Sequence, residues 1–100
     1  MAKRKIIWSV RAKFDLYEIL DFYLKRNGTA TYSKKLNSEI RKSVKLLAKH
    51  SDIGVKTDVL NVRNLIEGNY CIFYEIQPDK IEILTIWGAW QNPSDFELIC

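Results

Sequence analysis

The chain has one histidine, two cysteines, two prolines and four glycines in 100 residues. Cys71 and Cys100 form no CxxC pair and His50 stands alone, so the ligand set of a zinc site is missing and no metal or other cofactor is expected. With one cysteine in a predicted strand and the other at the last position, a disulfide framework is not expected. Cys71 reads as a small buried hydrophobe, and a reducing cytoplasm suits the chain. A single histidine excludes a two-histidine acid/base pair, and His50 falls at a predicted helix end, where complementing the helix dipole is its plain role. Long apolar runs are also absent. The stretch 6–8 is three residues, against about 7 to 15 in a signal peptide and about 20 in a membrane helix, so neither export nor a membrane is expected.

What is present is a folding composition. With 47% hydrophobic and 28% charged residues and twelve aromatics, the chain predicts one compact domain over residues 1–100, too short for two cores. The net charge of +4 conceals a division: residues 1–50 carry +9 and residues 51–100 carry −5. A basic half of this kind steers an acidic partner or a nucleic-acid backbone, although a lysine-rich helix face alone specifies neither.

Residues 5–8, KIIW, are β-prone, and Ser9 can cap a following helix by accepting a free backbone N–H. Val10, Phe14, Tyr17, Leu20 and Leu24 then recur every three or four residues. Leu16, Ile19 and Tyr23 widen that stripe into a predicted core face, and Arg11, Lys13, Asp15, Glu18 and Asp21 are placed mostly opposite it. Asn27-Gly28 supplies a left-handed stop. Thr29 or Thr31 can cap a second helix with Tyr32, Leu36, Ile40, Val44 and Leu47 on its apolar face. The short connection makes the pair an antiparallel hairpin. Residues 51–61 read as a loop, and three strands follow over 62–66, 70–76 and 81–87, joined by Glu67-Gly68-Asn69 and Gln77-Pro78-Asp79-Lys80. The predicted class is α+β: an N-terminal strand, a two-helix hairpin, and a three-stranded antiparallel meander packed on the helices.

The order β-α-α-β-β-β, with VRNLIEGNYCIFYEI and then IEILTIWGAWQNP, resembles the RelE/ParE superfamily of bacterial toxin-antitoxin toxins. The most specific stretches are Arg63-x-Leu65, then Gly68-x-Tyr70-x-Ile72-x-Tyr74, and Ile86-Trp87 followed by Gln91-Asn92-Pro93. The resemblance implies a cytoplasmic toxin neutralised by a cognate antitoxin in a hetero-oligomer, with DNA gyrase or the ribosome and its mRNA as target. An antitoxin segment of this kind is acidic and amphipathic. Trp90, Gln91, Asn92, Leu98 and Ile99 are the candidates for binding it or the target, and an internal packing role for Trp90 remains open.

RelE-like members cut mRNA in the ribosome, and the cations that remain here for phosphate contact or catalysis are Lys56 and Arg63, with Lys49 as a further nucleic-acid contact. The chain departs from that chemistry. It has Cys71 after Tyr70, Gly88 and Trp90 in place of the ending's aspartate and arginine, and no Tyr or His after Tyr74. Cleavage through 2′-hydroxyl attack needs a base, cationic stabilisation and an acid, so these departures favour gyrase-type poisoning by protein contact. Ribosome-dependent cleavage and a non-toxic antitoxin-binding module stay as alternatives, and Gly88 and Trp90 fit either natural divergence or an attenuated form.

Overall fold

The computed structural model describes residues 4–88. Strand β1 (Lys5–Trp8) leads into helices α1 (Val10–Asn27) and α2 (Thr31–Leu46), and strands β2 (Val55–Lys56), β3 (Val62–Glu67), β4 (Tyr70–Ile76) and β5 (Lys80–Gly88) follow. They form one sheet in the order β1-β5-β4-β3-β2. The predicted meander is present as β3-β4-β5. Two features go beyond it: β1 joins the sheet parallel to β5, with Ile6 opposite Ile81, and a two-residue β2 pairs with Asn64 and Arg63 of β3 inside the segment expected to be loop.

Ser9 caps α1 as expected. Its hydroxyl accepts the Ala12 N–H at 3.0 Å and donates to the Leu84 carbonyl at 2.9 Å, tying the helix start to β5. Gly28, at φ 72°, closes α1 in the left-handed conformation that a side chain would strain. Neither expected threonine caps α2. Ala30 holds the N-cap position without a side-chain bond.

The core lies between the helices and one face of the sheet. Leu36, Ile40, Val44 and Leu47 of the second helical segment meet Tyr70, Ile72 and Tyr74 of β4 and Ile81, Ile83 and Ile86 of β5. The shift from odd to even numbering on β5 follows from a bulge: Phe73 pairs with Thr85 and Tyr74 with Ile83, leaving Leu84 as the extra residue. Tyr32, expected in this face, is 42% exposed and packs its ring edge against Tyr23. Cys71 and Phe73 are buried on the other face of β4. Cys71 is disulfide-bonded, against the expectation of a simple thiol.

The main correction concerns α1. Its buried residues are Ala12, Asp15, Leu16 and Ile19, whereas Val10, Phe14 and Tyr17 of the predicted core stripe are 85%, 57% and 77% exposed. The helix is turned so that a carboxylate faces inward, and the reason is local. β1 stops opposite Ile83, so beyond that point β5 has no strand on its outer side. Asp15 replaces the strand, accepting the Ile86 N–H at 3.2 Å and the Thr85 hydroxyl, with the Arg11 Nε–H at 3.1 Å from the same carboxylate. A buried carboxylate with this many donors is satisfied.

Candidate functional site

Two surfaces carry candidate function, one at each edge of the sheet. The first surrounds Lys56 and Arg63. They stand directly opposite each other across β2 and β3, and both line a cavity of about 270 Å³ together with Thr57, Leu60, Asn61 and Ile76. Lys49 lies exposed beyond the end of α2 and does not line this cavity.

Arg63 is engaged by the protein itself. Its guanidinium donates to the Gly54 carbonyl at 2.8 Å and to the Asp52 carbonyl at 3.3 Å. The same loop is held from below by Tyr74, whose hydroxyl donates to the Ser51 carbonyl at 2.7 Å and accepts the Gly54 N–H at 3.0 Å. Burial pushes the Tyr74 phenol above its ordinary value, against the Gly54 N–H and the Arg63 charge, which pull the other way. This tyrosine is fully buried, with its hydroxyl used in both directions, and is not placed to move a proton for a substrate. Glycine is required at position 54 because a Cβ there would meet the Tyr74 hydroxyl at 2.5 Å. His50, exposed past α2, bonds through its backbone N–H to the Leu46 carbonyl. Trp90, Gln91, Asn92, Leu98 and Ile99 lie outside the described residues.

The second surface is the cleft between the helices. One part, about 430 Å³, is lined by Trp8, Leu16, Tyr17 and Leu20 with Lys13 on the α1 rim and Arg41 on the α2 rim. A second part, about 280 Å³, continues from Tyr17 and Leu20 to Leu24 and Ala30. The Arg41 guanidinium lies 5.3 Å from the centre of the Trp8 ring, and its Nε–H donates to Asn37 Oδ1 at 2.9 Å, which holds the cation at the rim. α2 carries five lysines or arginines and a single acid, Glu39. The exposed stripe Val10, Phe14 and Tyr17 runs along the same helix that walls the cleft. Periodicity had marked these side chains as core; their helical spacing was visible in the sequence, but the face they present was not.

A mixed five-stranded sheet with a helical hairpin on one face is the α+β architecture of the RelE/ParE superfamily. The family model described as "ParE toxin of type II toxin-antitoxin system, parDE" matches residues 6–93, and the chain belongs to that family. It is similar in structure to a protein of the chromosomal ParDE toxin-antitoxin system from P. aeruginosa, at 26% identity and TM-score 0.75, covering 86% of this chain and 96% of that one. It also shares its fold with a chain of the RelBE2 toxin-antitoxin complex from Mycobacterium tuberculosis, at 14% identity and TM-score 0.62, covering 88% of this chain and 93% of the other. No curated protein matches the chain. The protein is a toxin of the toxin-antitoxin class, and among the described residues no helix is long and apolar enough to cross a membrane.

Proposed function

We propose that this toxin arrests growth by gripping a cytoplasmic protein, as a gyrase poison does, and that it does not cut RNA. The observation that carries this reading is the engagement of Arg63 by the Gly54 and Asp52 carbonyls. Of the two cations at the cavity, one is a structural clamp, and the nearest phenol, Tyr74, is buried and fully bonded. Cleavage at a useful rate needs a base, an acid and a stabilised phosphorane, and a single exposed lysine does not fill all three roles.

A cognate antitoxin silences the toxin by laying an acidic amphipathic helix in the α1–α2 cleft. The apolar floor of Trp8, Leu16 and Leu20 takes its hydrophobic face, and Lys13 and Arg41 take its carboxylates. The ParDE and RelBE2 neighbours come from toxin-antitoxin systems, which supports a hetero-oligomer of this kind.

Purified toxin added to DNA gyrase and, separately, to ribosomes translating a defined message tests the target. Inhibited supercoiling with an intact message is expected, and Lys56→Ala should leave that inhibition in place. A message cut by the wild type and spared by Lys56→Ala would replace this reading with the RelE-like one, which the shared cavity of Lys56 and Arg63 favours.

A further inference from the structure

We infer that the loop between α2 and β3 is a second docking surface, distinct from the cleft, and that its occupant is a concave apolar pocket on the target protein. This rests on the toxin reading above. Val59 and Leu60 at the tip are 62% and 83% exposed, and Ile53 and Val55 at the base are 48% and 60% exposed. Four large aliphatic side chains in eight residues face solvent on a segment that is firmly built. The Thr57 hydroxyl accepts the Val59 N–H at 3.2 Å and donates to the Val62 carbonyl at 2.9 Å. The Val62 N–H closes the turn on the Val59 carbonyl at 3.1 Å, and the Ile76 N–H bonds the Asn61 carbonyl at 2.8 Å. At the base, Arg63 and Tyr74 hold residues 51–54. A loop fixed this way cannot fold its aliphatic groups into the core, and docking it costs little further ordering.

The chemistry of the loop selects among occupants. It has no aromatic ring between residues 51 and 61, so it offers no platform for a base to stack on. Asp52 and Asp58 are exposed on it against the one exposed cation Lys56, so the loop is close to neutral and offers neither a phosphate backbone nor an acidic antitoxin a net attraction. The antitoxin matches the cationic rims of the cleft instead, on the opposite edge of the sheet. A second copy fits poorly, because two protruding tips cannot bury one another to the roughly 800 Å² per partner of a stable interface. A neutral or cation-rimmed pocket that swallows Val59 and Leu60 meets every one of these conditions.

The test is the pair Val59→Ser with Leu60→Ser, which removes exposed apolar groups and leaves Thr57, Asn61 and the clamp intact. Unchanged thermal unfolding confirms that the variant folds. Induced without antitoxin, it should inhibit growth ~100-fold less than the wild type, the loss typical of two anchor side chains. Gyrase supercoiling should show the same loss, while affinity for the cognate antitoxin stays within about twofold; Leu60→Met should retain inhibition. Full growth inhibition by the double variant overturns the inference. So does a parallel fall in antitoxin affinity, which assigns the loop to the antitoxin, or a wild-type dimer that the substitutions dissociate, which assigns it to self-association. Loss of message cutting on ribosomes would assign it to RNA. A wild type that inhibits neither growth nor gyrase fails the toxin reading itself, and is recognised without any variant.

Discussion

Asp15 is the residue where hydropathy and structure part most sharply. Placed among the polar positions of α1 by periodicity, it is 4% exposed and closes the edge of β5 where β1 ends. Asp15→Ala would strand the Ile86 N–H and the Thr85 hydroxyl, and a stability loss of about 2–4 kcal/mol is expected in urea unfolding. Gly54 and Tyr74 form the second residue-scale device. Gly54→Ala drives a methyl into the Tyr74 hydroxyl and should cost about 1–3 kcal/mol. The phenol also confers a pH dependence. Its folded pKa lies above the ordinary value of 10.0, so its contribution is complete below about pH 10 and is lost as pH rises from there through the folded value, the unfolded chain ionising first. Stability measured between pH 9 and 11 should therefore fall less steeply in Tyr74→Phe than in the wild type, from a starting point lowered by about 1–3 kcal/mol for the stranded Gly54 N–H and Ser51 carbonyl.

Among the elements, the strands of the meander were legible because alternation and turn residues agree: Gly68 sits at φ 60° in the turn between β3 and β4, where the sequence placed it. β2 was not legible, since two residues have no period, and the parallel pairing of β1 with β5 is a long-range choice that no local pattern encodes. α1 was legible as a helix but not in its facing. Two stripes share helical spacing: Val10, Phe14 and Tyr17 form the exposed one, and the buried one joins Leu16 and Ile19, expected in the core, to Ala12 and Asp15. The candidate site followed the same division. Lys56 and Arg63 were candidates by residue type, their placement opposite each other comes from the strand pairing, and the backbone carbonyls that engage Arg63 belong to a loop conformation that sequence does not display. An exposed stripe beside a cleft behaves as an interface, so Phe14→Asp with Tyr17→Asp should weaken cognate antitoxin binding at least ~100-fold in calorimetry. Because both side chains lie outside the core, the melting temperature of the free toxin should stay nearly constant.

At the scale of the whole molecule, the charge division in the sequence becomes a division in space. The first fifty residues, at +9, build β1 and both helices around the cleft, and the described acids of the second half are spread over the loop and the strands. A cleft rimmed by Lys13 and Arg41, beside a helix with five cations and one acid, draws an acidic chain from beyond contact distance. The attraction acts on encounter more than on the final complex, so salt should separate the two surfaces. Raising ionic strength from about 0.05 to 0.5 M shortens the Debye length from roughly 14 to 4 Å and should slow association with the antitoxin by about 10-fold or more, with dissociation changed far less. Docking through the loop, where Asp52, Lys56 and Asp58 nearly balance, should lose less than about twofold over the same range. Stopped-flow association with the antitoxin, set beside inhibition of gyrase across the same salt series, checks both slopes. Equal slopes would mean that the two partners compete for the basic cleft, and the loop would then have no target of its own.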